Sequence, residues 1–216
     1  MLRRLARKPA AVIAVAAGML LLTFALFELF SGYRATHGAS PAIPKETLTR
    51  STDRPDETPV SGDGYRVAAD QPRQIRIPSI ATQGFIQKVG VDQHQAIAVP
   101  GNVHLAGWYT RSARPGDIGV SILDGHLQGR YADGIFKHLS ELKAGDEIAI
   151  EFGDGSWRYF VVKHVDSFTV EEASSEQFRQ LSDVDRQLTL ITCSGVYDRA
   201  SRQYDRRVIV RASLTP

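Results

Sequence analysis

The sequence of 216 residues contains a single cysteine, Cys193. One thiol cannot form an intramolecular disulfide, and it excludes every metal site that needs several cysteines. No charge of either sign dominates, because 26 lysine and arginine residues stand against 24 aspartate and glutamate residues. The chain has no basic stripe beyond its first residues and no nucleic-acid-binding motif, so the sequence predicts no nucleic-acid partner.

Long uncharged runs are also scarce, and the one that stands out covers residues 10–27 (AAVIAVAAGMLLLTFALF). At about 1.5 Å of rise per residue, such a helix can cross a bilayer with modest tilt or thinning. The basic residues that precede it are Arg3, Arg4, Arg7 and Lys8. The positive-inside rule therefore predicts a cytoplasmic N-terminus at 1–9 and a single-pass membrane anchor at 10–30, with the rest exported. A cleaved signal peptide is the alternative, although its apolar core usually spans only about 7 to 15 residues.

Residues 31–70 are rich in Ser, Thr, Pro, Gly and Asp and contain few large apolar side chains. A segment of this composition buries too little surface to fold alone, so it predicts a flexible spacer outside the membrane. Short apolar segments separated by turn signals follow over 71–216, which indicates one folded domain.

The pattern within that domain predicts an all-β fold. The segments QIRIPSI, QAIAVP and GVSIL are short strands, and DEIAIEF with WRYFVVKHVDSF forms a hairpin across GDG. ADGIFKHLSEL predicts a short helix or helical turn, and EEASSEQFRQLSDVD a helical turn within a long loop. With LTLITC and RVIVRA, about seven or eight strands occur in roughly 145 residues, as in a barrel or a sandwich.

The alternation of the last two strands bears on the cysteine. In LTLITC the leucines share one face and Cys193 lies on the other, and in RRVIVRA Arg207 lies on the face opposite the valines. If the leucines and valines fill the core and the strands pair antiparallel, Cys193 and Arg207 meet on one accessible face. Among six histidines, His126 is the best partner for the thiol, because it ends an apolar strand where a glycine-flanked turn begins.

The motifs resemble those of the sortase family. TLITC resembles the strand that carries the sortase nucleophile, and LDGH, about 70 residues earlier, resembles the approach to the sortase histidine. IRIPSI and GIFKHLSELKAGDEIAI resemble further elements of the same domain. The segment CSGVYDRASRQY and the stretch from GWY to PG are most similar to class F sortases.

This resemblance implies an eight-stranded closed β-barrel and an extracytoplasmic cysteine transpeptidase, which agrees with the membrane anchor predicted above. No cofactor is expected, and calcium dependence stays open. Cys193 would be the nucleophile, His126 the proton donor and acceptor, and Arg207 the donor to the substrate carbonyl. Sortases cleave a sorting motif of LPxTG type, form a thioacyl enzyme and pass the acyl group to an amine. The implied partners are surface proteins that carry a sorting signal and the amine acceptor of a cell-wall precursor.

Several points stay open at the level of the sequence. The class pattern has two glycines after the cysteine, whereas this chain has Ser194 and Gly195, and the adjacent Arg206 competes with Arg207 for the arginine role, with Arg199 third. The pair Glu171 and Glu172 is a candidate for a calcium site or a solvated loop. A non-catalytic surface β-barrel that binds wall glycans is the alternative function, and an L,D-transpeptidase is disfavoured because no SHGC-like segment occurs.

Overall fold

The computed structural model describes residues 52–54, 64–93 and 95–216. Eight strands in this part of the chain close into one barrel, which confirms the predicted all-β closed eight-stranded fold. The strands are β1 (Pro72–Ile77), β2 (Thr82–Val89), β3 (Ala106–Tyr109), β4 (Gly119–Gly125), β5 (Glu147–Phe152), β6 (Trp157–Thr169), β7 (Arg186–Asp198) and β8 (Gln203–Leu214). Their order around the barrel is β1-β2-β3-β4-β7-β8-β6-β5.

The predicted membrane anchor at 10–30 lies outside the described residues. Within the described ranges, no helix combines the length and the apolar character that crossing a bilayer requires. The helical elements there are short: a 3₁₀ turn at Pro78–Ile80, a second at Leu139–Glu141 and one α-helix, α1 (Val170–Glu176). The second 3₁₀ turn and α1 lie in the two segments for which the sequence predicts helical turns.

Two pairs of neighbouring strands are parallel, and one of these pairs bears on the segment QAIAVP, which was wrongly predicted to be a strand. β2 pairs parallel with β3, and β4 with β7. Parallel neighbours need a connection that returns the chain to its starting edge. QAIAVP at 95–100 lies in the return from β2 to β3, so it is not a strand and contributes only an isolated bridge between Val91 and Ile97.

The barrel interior is filled by side chains from every strand, as the period-2 alternation predicts. Leu188 and Leu190 of β7 and Val208 and Val210 of β8 lie in this main cluster. Among its largest members, Phe136 and Phe160 are fully buried. Apolar burial contributes roughly 25 cal/mol for each Å² removed from water, so this cluster fixes the register of β7 and β8 and decides which of their residues face outward.

The outer face of β4, β7 and β8 is covered by a second apolar cluster. Ile122, Ile191 and Ile209 pack there against Ala173 of α1. The helix is held by a capping box, in which Thr169 accepts from the backbone N–H three residues on. The outward residues of these strands are therefore buried along most of the face, which becomes accessible only toward the end where Cys193 lies.

Part of the segment that the sequence places in the spacer contacts the barrel. Thr52 forms an isolated parallel bridge with Asn102, and the Tyr65 hydroxyl donates a hydrogen bond to the Ile86 carbonyl at 2.8 Å. Tyr65 also packs on Phe85, with ring centroids 5.0 Å apart. The Tyr65 contacts are made to β2, and the Thr52 bridge is made to the connection between β2 and β3.

Candidate active site

Cys193 and Arg207 are directly opposite each other in the antiparallel β7–β8 ladder. Both side chains are half-buried. Leu190 and Val208 point into the main core. Because side chains alternate along a strand, Cys193 and Arg207 both point to the outer face. Directly opposed residues have Cβ atoms about 4.5 to 5.5 Å apart. The structure thus brings together the thiol and the guanidinium in the arrangement that alternation predicted.

The parallel pairing of β4 with β7 brings the histidine to the same place. Asp124 is level with Ile191 in this pairing. His126 follows Asp124 by two residues, as Cys193 follows Ile191 by two, so both residues lie at the same end of the two neighbouring strands. The buried hydroxyl of Thr192 donates to the Gly125 carbonyl at 2.8 Å. This bond joins the residue before the cysteine to the residue before the histidine, so it fixes the spacing of the two strand ends.

His126 is held in the loop that follows β4. Its Nε2 atom lies 2.8 Å from the Pro100 carbonyl oxygen, so the ring hydrogen-bonds to the backbone rather than to Cys193 in this conformation. Gly125, the residue before His126, leaves room for the Phe136 ring, because a Cβ there would lie 2.5 Å from that ring. Burial lowers the pKa of His126, and the hydrogen bond to Pro100 opposes this shift.

Burial also decides the protonation of the thiol. It raises the pKa of Cys193, while the nearby guanidinium of Arg207 lowers it and the carboxylate of Asp124 raises it further. A raised thiol pKa and a lowered imidazole pKa both favour the uncharged pair at neutral pH. The thiolate, which is the nucleophilic form, is therefore a minor species before a substrate binds.

The geometry separates the three arginines that the sequence left in competition. Arg207 donates from Nη1 to the carbonyls of Tyr204, at 3.0 Å, and Arg206, at 2.8 Å. Arg206 is opposite Ser194, but its guanidinium is bound to β6, to the hydroxyl and the carbonyl of Ser167 at 2.9 and 2.7 Å. Arg199 is exposed in the turn between β7 and β8. Arg207 is the one that shares the outer face with the thiol.

The residues after the cysteine form a β-bulge that explains the departure from a double glycine. The register shifts between Ser194 and Tyr197, and Gly195 adopts φ of 83°, a left-handed conformation that favours glycine. A Cβ at Gly195 would lie 2.0 Å from the Asp205 carboxyl, which accepts from the Val196 amide at 2.7 Å. Only the second glycine is needed here, so a serine fits at position 194.

Asp124 is a residue that the sequence reasoning quoted but gave no role. It alternates with Leu123, which points into the main core, so its half-buried carboxyl lies on the outer face with the thiol. Burial raises its pKa to about 7, against the backbone hydrogen bond from Gly125 and the charge of Arg207. A signal was available, because a carboxyl that breaks an apolar strand just before a candidate histidine is unusual.

No group of three or more His, Cys, Asp or Glu side chains is placed to hold a metal ion among the residues that the structure describes. Glu172, one of the two acidic residues considered for calcium, accepts at Oε2 from the Thr169 amide at 2.9 Å and closes the capping box. Glu171 lies beside it in the exposed first turn of α1. The role that the structure gives to Glu172 is therefore helix capping.

Fold and site together define a β-barrel protein in which a single thiol lies opposite an arginine on neighbouring strands, with a histidine in the loop that follows the next strand. The Sortase domain family model matches residues 75–215, which is well over half of the chain. The chain belongs to the sortase family, a family of cysteine transpeptidases. A comparison with curated proteins gave no match.

Solved structures share the fold. Sortase A from Corynebacterium diphtheriae, as a lid mutant, is similar with a TM-score of 0.53 and 22% identity, over 80% of this chain and 89% of that chain. The Clostridium perfringens sortase D5 transpeptidase has a TM-score of 0.50 and 22% identity, over 68% and 80%. Sortase C-1 from Actinomyces oris has a TM-score of 0.50 and 24% identity, over 66% and 73%. At these identities the likeness shows the fold alone.

Proposed function

We propose that this chain is a membrane-anchored transpeptidase that cleaves an LPxTG-like sorting motif and transfers the protein to the amine of a cell-wall precursor. The observation that carries the proposal is the pairing of Cys193 with Arg207 on the outer face. This pairing lies next to the end of β4, where Thr192 is bonded to Gly125, the residue before His126. The nucleophile lies on β7, the oxyanion donor on the adjacent β8, and the proton carrier in the loop that follows β4, the other neighbour of β7.

The first half of the reaction forms a thioacyl enzyme. The Cys193 thiolate attacks the carbonyl carbon at the scissile bond, the C–S bond forms and the carbonyl oxygen becomes an oxyanion. Arg207 donates hydrogen bonds to this oxygen, which is where preorganised donors act most strongly. The imidazolium of His126 gives its proton to the leaving nitrogen as the C–N bond breaks.

The second half runs in reverse with a new amine. The neutral amine attacks the thioacyl carbon, a C–N bond forms and its surplus proton passes to the His126 imidazole. The C–S bond then breaks and the electron pair returns to Cys193 as the thiolate. The enzyme finishes as the thiolate and imidazolium pair that opened the cycle, so protons balance. This reactive pair is the minor form, in equilibrium with the uncharged pair that predominates at rest.

Two finer assignments belong to the same proposal. The uncharged run at 10–27 behind four basic residues supports a single-pass anchor with the barrel outside the cell. The segment CSGVYDRASRQY supports class F, and the solved structures reported above carry class A, C and D labels. Sorting-signal proteins and an amine acceptor are the proposed partners.

The test is cleavage by the full-length chain in detergent, assayed with a small library of sorting-motif peptides and a glycine-based acceptor. Cys193→Ala should abolish cleavage and leave the fold intact by circular dichroism. Ser194→Ala is the matched control, because Ser194 is adjacent and faces the opposite side, and it should retain activity. Undiminished cleavage by a folded Cys193→Ala chain would contradict the enzyme and favour the non-catalytic surface module.

A further inference from the structure

Asp124 lies on the reactive face of the sheet, one row from the thiol. It is level with Ile191, and Ile191 precedes Cys193 by two residues, so Asp124 and Cys193 are diagonal neighbours on one face. Diagonal neighbours are about 7 to 8 Å apart, a distance at which charges still act on each other through a partly buried site. Their charges interact, because the Asp124 carboxylate raises the pKa of Cys193.

A negative charge at this position works against the nucleophile, because it disfavours the thiolate. The carboxyl accepts a hydrogen bond from the Gly125 backbone and forms no ion pair within the described residues. Arg207 donates to two backbone carbonyls instead. The Asp124 carboxylate can therefore accept further hydrogen bonds on the face where the reaction takes place.

The order of the strands indicates which of the two reactants lies near the Asp124 carboxyl. Arg207 on β8 receives the carbonyl oxygen and His126 beyond β4 serves the nitrogen, so the nitrogen side of the scissile bond faces β4. Asp124 lies on β4, two residues before His126. The group that arrives on this side is the acceptor amine, and an α-amine with a pKa of about 7.7 to 8.0 is mostly an ammonium ion at neutral pH.

We propose that Asp124 binds the ammonium group of the amine acceptor and positions its nitrogen beside His126. The bound ammonium first releases one proton to bulk water, and the neutral amine then attacks the thioacyl carbon while its surplus proton passes to the His126 imidazole. The inference deepens the proposed function and rests on it. An ammonium group has three N–H donors, and any of them can bond to a carboxylate oxygen. The contact therefore holds the nitrogen without fixing the orientation of the rest of the acceptor. Asp124 is then a binding residue for the second half of the reaction and contributes nothing favourable to the first.

The experiment compares two acceptors of different charge on the full-length chain. Triglycine is an ammonium ion at neutral pH, whereas hydroxylamine is uncharged. Asp124→Asn should raise the KM for triglycine roughly twofold to fivefold, the loss of one partly exposed ion pair, and leave the KM for hydroxylamine unchanged. Thioacyl formation, measured as the burst of released leaving peptide, should be equal or faster, because the thiol loses a neighbouring negative charge.

Asp154→Asn is the control, because it removes one exposed carboxylate from the β5–β6 turn, whose strands do not pair with β4 or β7. Equal effects of Asp124→Asn on both acceptors, or an unchanged KM for triglycine, would overturn the proposal. So would a higher KM for the sorting peptide with no change for the acceptors. If the parent chain gives no burst with any peptide, it is the proposed function that fails, and this outcome is distinct from the other three.

Discussion

Arg211 offers the sharpest test of how the outer face of the barrel is held together. Its side chain is 3% exposed and its guanidinium bonds two acidic residues: Nη1 to Asp166 Oδ2 at 3.0 Å and Nη2 to Glu176 Oε2 at 2.7 Å. Nη2 also donates to the Glu176 carbonyl at 2.9 Å, and the cation lies 5.5 Å from the Phe168 ring centroid. Glu176 ends α1, so this arginine of β8 anchors the helix to the sheet.

The size of the effect of Arg211→Met follows from which groups lose their partner. Removing one member of a buried ion pair costs about 3 to 5 kcal/mol when the other stays buried. Here the Asp166 side chain is 44% exposed and that of Glu176 is 23% exposed, so both regain part of their hydration. Methionine also fills most of the volume. We therefore expect a loss of about 2 to 4 kcal/mol in the free energy of unfolding.

Urea unfolding of the two proteins checks this value, and Arg179→Met is the matched control. Arg179 pairs with the same Glu176 at 3.4 Å but is 66% exposed, so its loss should cost less than about 0.5 kcal/mol. Amide exchange should quicken in α1 more than in β7, because the helix loses its anchor first. A loss below about 1 kcal/mol for Arg211→Met, or equal losses for both arginines, would refute the argument.

Four further predictions concern the site and its setting. Arg207→Lys should lower turnover roughly 10² to 10³-fold, because it loses the planar fork of an oxyanion donor, whereas Arg206→Lys should change turnover little in the same peptide assay. The raised pKa of Asp124 means that its folded form binds a proton more tightly than the unfolded chain does. Stability is therefore lost as pH rises through about 7, and Asp124→Asn should gain about 2 to 4 kcal/mol relative to the parent between pH 5 and pH 8. Thr169→Ala should cost about 1 kcal/mol in urea by removing the α1 cap. Protease added to intact cells should remove the barrel, and protection until the membrane is opened would refute the anchor at 10–30.

The strands that sequence reasoning found are apolar segments bounded by turn signals, and the clearest of them alternate regularly. β5 and β6 are a hairpin whose register pairs Glu147 with Val161 and Glu151 with Trp157, and its turn carries the GDG signal. β7 and β8 alternate so regularly that the opposition of Cys193 and Arg207 could be deduced from the sequence. Local periodicity and a short connection were enough in these cases.

The strands that the sequence did not predict, β2 and β3, were missed for other physical reasons. β3 is four residues long and all four, Ala106 to Tyr109, are buried, so no alternation was visible. β2 is interrupted by Gly84, whose Cβ would lie 2.9 Å from the His104 carbonyl oxygen, and glycine weakens a strand signal. The parallel pairing of β4 with β7 joins segments more than 60 residues apart, and such contacts leave no local trace in a sequence.

The lack of a local trace for long-range pairing also explains which parts of the site could not be predicted from the sequence. Cys193 and Arg207 belong to neighbouring strands of one hairpin, so their proximity followed from alternation. The bond from Thr192 to Gly125 and the carboxyl of Asp124 depend on the long-range register of β4, which no pattern within either strand could supply. The roles of Cys193, His126 and Arg207 in catalysis stay predictions until the variants are measured.

The environment of Cys193 bears on how the single thiol of this chain resists oxidation. Oxidation proceeds through the thiolate, and burial raises the pKa of Cys193, so the resting enzyme holds little of the vulnerable form. Asp124 adds to this protection, since its negative charge opposes the thiolate until an ammonium acceptor neutralises it. A carboxyl that slows the nucleophile at rest is thus consistent with a site that reacts only when substrates are bound. On this reasoning, Asp124→Asn should quicken both alkylation and peroxide oxidation of Cys193 at neutral pH, and equal rates in the parent chain would count against the coupling.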